Sequence, residues 1–357
     1  MISELKLHRI GILMEPEPGN SQEVEGVLNP GIARGQDGQV YLFPRLVSKG
    51  NFSRIGIARV QFDSAGDPSG VERLGIALEP EADYELRPGG GGCEDPRVTF
   101  VEPLGHYLMT YTALSAAGPR IALAISDDLL HWRRLGLATF DPFEGIEFNG
   151  IDDKDACAFP QAVISPLGEP ALAILHRPLF PGTRPEEKSR KRELKVRDLQ
   201  RESIWISYRP MVIRDRKPEW RHHFSSHRRL AAPVAQWEHL KVGAGAPPVL
   251  TSLGWLLLYH GVREMPVNRD GIHGHCYSAG VMILEKERPT VIRYRSKEPV
   301  LTPELPEEKI GTVGEVVFPT GVDRRDDLNK PNRFDVYYGM ADDKIGVARL
   351  DLPDNLN

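Results

Sequence analysis

Apolar residues in this chain come in short runs of about four to eight, not at helical spacing, and glycine and proline punctuate them from end to end. The runs fall into repeating groups. A first segment carries small and polar residues: Asn29-Pro-Gly-Ile-Ala33, Cys93-Glu-Asp-Pro-Arg-Val-Thr-Phe100, Asp153-Lys-Asp-Ala-Cys-Ala-Phe-Pro160, Gly243-Ala-Gly-Ala-Pro-Pro-Val249 and Gly314-Glu-Val-Val-Phe-Pro-Thr320. A strongly apolar segment follows each: Val40–Phe43, Tyr107–Tyr111, Ala171–Leu175, Trp255–Tyr259 and Phe334–Tyr338. A third segment alternates, as in Ser53–Val60, Arg120–Ile125, Ser203–Ser207, Tyr277–Met282 and Lys344–Arg349.

Repetition of three or four short antiparallel strands with variable loops predicts an all-β, five-bladed β-propeller with a central pocket. A Greek-key sandwich would not require the same polar opening strand each time. In a propeller the first strand of every blade lines the channel, so function is expected on the openings. The pattern has no long linker and predicts a single domain over residues 1–357, with a charged loop inserted at about 181–201.

A net charge of −5 argues against a nucleic-acid partner, and the basic stretch Lys188–Arg201 reads as solvated loop. No apolar run approaches the roughly 20 residues of a membrane span, and Met1–Leu13 lacks the pattern of a secretory leader. The three cysteines, Cys93, Cys157 and Cys276, are scattered, which fits a reducing cytoplasm and neither a disulfide framework nor zinc. Assembly with identical subunits is left open.

Ionisable residues crowd the openings and the strand ends beside them: Asp95, Arg97, Lys154, Asp155, His176, Arg177, Lys241, His260 and Asp342. Buried charges are costly unless paired, so the set is either a self-neutralising ion network or a polar ligand site. Convergence on one channel favours the site. Pro96 is expected to hold Asp95 extended, with its side chain in a fixed direction. Other motifs carry less. His273 and His275 lack a third metal ligand, Gly89–Gly92 lacks the lysine and helix of a nucleotide loop, and Ser203 has no Ser/His/Asp pattern around it. No metal or organic cofactor is expected.

Together with the openings, the segments Ser53-Arg-Ile-Gly, Leu175-His-Arg-Pro, Lys241-Val-Gly-Ala-Gly-Ala-Pro-Pro, Gly254-Trp-Leu-Leu-Leu-Tyr-His-Gly and Tyr337-Tyr-Gly-Met-Ala-Asp342 resemble family-130 glycoside hydrolases and mannoside phosphorylases, in order from about Asn29 to Leu350. The resemblance implies an inverting β-mannoside phosphorylase with Asp95 as proton donor, inorganic phosphate as co-substrate and α-mannose 1-phosphate as product. It implies that Arg97 and Asp342 hold the mannose with Asn29 and Arg54 nearby, Asp155 and Tyr277 being counted with the substrate-binding residues. Lys154, His176, Arg177, Lys241 and His260 would meet phosphate. The alternative is an inverting β-mannosidase with Glu202, Glu238 or Glu264 as base, since inverting hydrolysis needs a second carboxylate whereas phosphate arrives as an anion. A propeller that only binds carbohydrate or protein is the remaining reading. Met340 and the charged insertion depart from the family pattern.

Overall fold

A computed structural model describes residues 5–180, 201–214, 217–220, 223–266 and 274–356. Most of the expected insertion at 181–201, and His273, lie outside the described residues. The chain is nearly all β. Among the described residues the strands form four hydrogen-bonded sheets. The largest is two antiparallel meanders, Gly26–Arg34 to Pro68–Leu78 and Gly91–Val101 to Arg133–Leu137, joined by a short parallel contact of Phe52 and Ser53 with Gly91 and Gly92. A third meander opens with Asp152–Ala158 and continues through Pro170–Leu179, Ile204–Arg214 and Ser225–Ala231. The fourth opens with Lys241–Ala244 and runs through Gly254–Glu264, His275–Leu284 and Ile292–Arg295.

The last group contains a strand from the start of the chain. Leu7–Met14 pairs with Lys344–Asp351, outside Arg333–Met340 and Val317–Arg324, with Leu7 opposite Leu350. Arg9 reinforces this closure through bonds to Glu308 at 2.8 Å and Glu304 at 2.9 Å. The first four opening strands touch in succession, the fourth group meets the strand Val317–Arg324 through Gly254–Glu264 and His275–Leu284, and Val317–Arg324 returns to Gly26–Arg34. Apolar clusters fill the spaces between consecutive groups: Phe43 and Tyr111 between the first two, Ile174 and Leu108 between the next. Leu175 and Leu257, then Leu258 and Val336, then Tyr337 and Val27 continue the series. This is a propeller-like arrangement, with the apolar second strands buried throughout and the outermost strands alternating, as in Arg133–Leu137.

The glycine run that resembled a phosphate loop is a hinge of close approach. A Cβ on Gly92 would stand 2.1 Å from the carbonyl oxygen of Ser53, and φ is +116° there. Glycine alone lets the first two groups meet.

Candidate active site

Three of the candidate side chains stand where an opening strand departs from regular pleating. Asn29, Asp95 and Asp155 have φ of +46°, +48° and +57°, and each lies in a register shift of its ladder. The expectation that Pro96 keeps Asp95 extended is therefore corrected. Proline disfavours the right-handed helical region for its predecessor, but a β-bulge demands a left-handed residue, which Asp and Asn tolerate. Asp342, at φ +52°, occupies the turn between Arg333–Met340 and Lys344–Asp351.

These bulges aim their side chains into a cavity of about 330 Å³ lined by Asn29, Arg45, Asp95, Asp152, Lys154, Asp155, Arg177, Glu202, Lys241, His260, Tyr277, Phe318 and Asp342, with Pro119, Leu179, Val313 and Val316 as apolar wall. A larger cavity of about 510 Å³ lies at the opposite ends of the opening strands, among Arg34, Phe100, Pro247 and Asp323. The chemistry points to the smaller one, because there the ionisable groups face the space with bonding capacity left over.

Asp95 Oδ1 accepts from Asn29 Nδ2 at 2.9 Å and from Arg45 Nη1 at 3.2 Å. Arg45 also holds Glu94 at 2.7 Å. Burial pushes the Asp95 carboxyl up, but the charges of Arg45 and Arg97, the Asn29 bond and Lys154 outweigh it and hold the group below its ordinary value. Asp342 goes the other way. Burial raises it to about 6, reinforced by the negative charges of Asp95 and Glu94 against the pull of Arg45 and Lys154. Two carboxyls facing one cavity thus differ in their affinity for a proton.

The opposite wall is cationic. Arg177 donates to Asp155 Oδ2 at 2.6 Å and also bonds Glu202, so both carboxylates are occupied. Burial pushes His260 down to about 3, with Asp155 opposing and Arg177, Lys241 and Arg97 adding to the fall. The His260 ring is therefore neutral, and both of its nitrogens are buried without a hydrogen-bond partner. Gly243 makes room for it, since a Cβ there would stand 2.2 Å from Asp155 Oδ2 and 2.3 Å from His260 Cε1. Lys241 lies over the Tyr277 ring at 5.4 Å, and among the described residues neither Lys154 nor Lys241 has a side-chain hydrogen bond or ion pair. The arrangement can receive a neutral polyol beside the carboxyls and an anion beside the lysines.

A family model described as beta-1,4-mannooligosaccharide phosphorylase, Glyco_hydro_130, matches residues 7–357. The chain belongs to glycoside hydrolase family 130. It is an enzyme of β-mannoside chemistry, phosphorylase or hydrolase. A 1,2-beta-oligomannan phosphorylase of Thermoanaerobacter sp. (strain X514) is 30% identical over 98% of this chain and 99% of its own length. The beta-1,2-mannobiose phosphorylase of Listeria innocua, solved with beta-1,2-mannobiose, superposes with a TM-score of 0.68 at 23% identity, covering 97% of both chains. A structure reported with the finding that the family contains glycoside hydrolases targeting beta-1,2 mannosidic linkages in Candida mannan gives 0.69 at 21% identity, covering 99% of this chain and 97% of that one. These likenesses show the fold.

Within this family-130 cavity the structure gathers Asn29, Asp95, Lys154, Asp155, Arg177, Lys241, His260, Tyr277 and Asp342 from the expected set. Three residues stand elsewhere. Arg97 is buried, donating to the Gly245 carbonyl at 2.8 Å and to that of Asp95, so it supports Asp95 from behind. Arg54 pairs with Glu79 at 2.9 Å and does not line the cavity. His176 is fully buried between Asp153 and Ser207 and cannot meet phosphate. His260 is a neutral partner instead of a cation.

Of the carboxylates proposed as hydrolytic bases, Glu238 is buried on Arg295 at 2.7 Å and Tyr259 at 2.9 Å, and Glu264 is exposed beside a different cavity. Only Glu202 reaches the site. Arg45, whose guanidinium clamps Asp95, was missed from the sequence. The signal available was its place in the second strand, where one charge interrupts an otherwise apolar run. Among the described residues no group of histidine, cysteine and acidic side chains could hold a metal, and no helix is long and apolar enough to cross a membrane.

Proposed function

We propose that the protein is an inverting β-mannoside phosphorylase, cleaving a β-mannosidic bond with inorganic phosphate to give α-mannose 1-phosphate. The observation that carries the reading is that Lys154 and Lys241, which form no side-chain hydrogen bond or ion pair among the described residues, stand beside the His260 nitrogens on the wall facing Asp95. A phosphate dianion fits that wall; its oxygen attacks the anomeric carbon while the glycosidic C–O bond breaks on the opposite face. Asp95 gives its proton to the departing oxygen, directly or through a sugar hydroxyl. Asp342 and Asn29 would hold the mannose being transferred.

The lowered proton affinity of Asp95 fits an ordered reaction. Lys154 is one of the charges that keeps Asp95 ionised. An anion beside Lys154 offsets that charge, so phosphate binding raises the proton affinity of Asp95 before the bond breaks. The linkage to test first is β-1,2, because a relative matched over 98% of this chain is a 1,2-beta-oligomannan phosphorylase.

Glu202 supports a second reading, hydrolysis, since it lines the cavity, but its tie to Arg177 leaves it poorly placed to take a proton from water. Incubation with β-1,2-mannobiose with and without phosphate separates the two. Mannose 1-phosphate formed only with phosphate supports phosphorolysis, free mannose formed without it supports the hydrolase, and no turnover on any mannoside favours a binding propeller. Asp95→Asn is expected to abolish turnover with the β circular-dichroism spectrum intact; retention of near-normal rates removes Asp95 from the mechanism. Inorganic phosphate as co-substrate without a further cofactor, and cytoplasmic residence, belong to the same proposal.

A further inference from the structure

Behind the wall that carries Lys154 runs a line of hydrogen bonds crossing all four main strands of the third group. Asp153 Oδ2 meets His176 Nδ1 at 2.7 Å, His176 Nε2 meets Ser207 Oγ at 2.7 Å, and Ser207 Oγ meets His227 Nδ1 at 2.7 Å. His227 Nε2 ends the line on the carbonyl oxygen of Asp141 at 2.9 Å. His176 stacks on Phe140 at 5.1 Å and His227 on Phe148 at 4.3 Å. The order Asp–His–Ser suggests a nucleophile, but all these side chains are buried, none lines the cavity, and the hydroxyl is shared between two imidazoles.

Proton counting gives the line a direction. A carbonyl only accepts, so His227 Nε2 carries a hydrogen. Burial pushes His227 down to about 4, which leaves its Nδ1 bare to accept from the Ser207 hydroxyl. Ser207 Oγ then accepts from His176 Nε2–H, and the other ring nitrogen of His176 meets Asp153.

The strand that this line holds most needs outside support. Its ladder is broken between Lys154 and Cys157, and Asp155 sits in left-handed backbone. Lys154 has no side-chain hydrogen bond or ion pair among the described residues, so only the backbone around it limits the region its flexible side chain can reach. We propose that His176, Ser207 and His227 are positioning residues for phosphate: by locking Asp153 from behind, they fix Lys154 and Asp155 toward the cavity. This rests on the phosphorylase reading.

The test is titration of the whole protein with inorganic phosphate, wild type against Ser207→Ala, followed by steady-state kinetics in both substrates. Loss of a connecting hydrogen bond is expected to weaken phosphate binding about tenfold while the mannoside KM stays within about twofold. His227→Phe, which keeps a ring against Phe148, should act in the same direction. Imidazole nitrogen NMR should show His227 protonated on Nε2 alone. Equal phosphate affinities in a folded Ser207→Ala protein, parallel rises in both KM values, or the opposite His227 tautomer would each overturn the inference. A wild-type protein indifferent to phosphate removes the phosphorylase reading as well, so the two failures are told apart.

Discussion

Asp342→Asn should make the protein more stable at neutral pH and much less active. The carboxyl is pushed up from 3.8 to about 6 by burial and by Asp95 and Glu94, against Arg45 and Lys154. The folded protein therefore binds this proton more tightly than the unfolded chain does. Its contribution is most favourable below 3.8, is lost as pH climbs toward about 6, and stays lost above. Two decades between the folded and unfolded values correspond to about 3 kcal/mol at pH 7.5, an upper figure because water in the cavity screens the charge. Asparagine keeps the shape, tolerates the left-handed backbone and carries no charge. For a chain of this length about 3 kcal/mol is worth roughly 4 °C in melting temperature. Paired melts at pH 7.5 and pH 4 check this, with the gain expected at the first and absent at the second. Turnover should fall by at least about 100-fold, as expected for a carboxyl retained for function at a cost in stability. An Asn variant less stable than wild type at pH 7.5, or equally favoured at both pH values, would refute the reasoning.

Lys154→Met should raise the KM for phosphate by about tenfold, because the anion loses a point charge on the cavity wall, with binding of mannoside measured by calorimetry little changed. Glu238→Gln should lower stability by about 3 kcal/mol by leaving Arg295 without its buried partner, whereas Glu264→Gln should leave it unchanged. Neither should change kcat, which initial-rate assays will show. Gly92→Ala should destabilise by more than about 2 kcal/mol in denaturant titration, since its Cβ would collide with the backbone of Ser53 at a positive φ.

Much of the fold was legible because the same division of labour recurs, polar openings followed by apolar second strands, whereas the third strands expected to alternate are buried over most of their length, as in Gly118–Ser126 and His275–Leu284. The closing strand Leu7–Met14 was not, because its short mixed pattern, LHRIGILM, acquires meaning only from the partner it finds at Lys344–Asp351. The site was legible as a set of charges but not as a set of directions. Period-two alternation already says that His176 and Arg177, adjacent on an unbroken strand, cannot both face the channel. The structure obeys, sending Arg177 to the cavity and His176 into the sheet packing.

Lys154 and Asp155 are also adjacent, yet both line the cavity, because the bulge between Lys154 and Cys157 breaks the alternation. Nothing local to the sequence announces that break. Proline after Asp95 argues for extended backbone, and only the ring of neighbouring strands makes the left-handed turn worthwhile. In a regular pleat Asp155 would point with Asp153, away from Arg177 and His260, and its negative charge would leave the cationic wall. The bulged residues Asn29, Asp95 and Asp155 are thus the means by which the strands present more polar groups to one cavity than alternation permits.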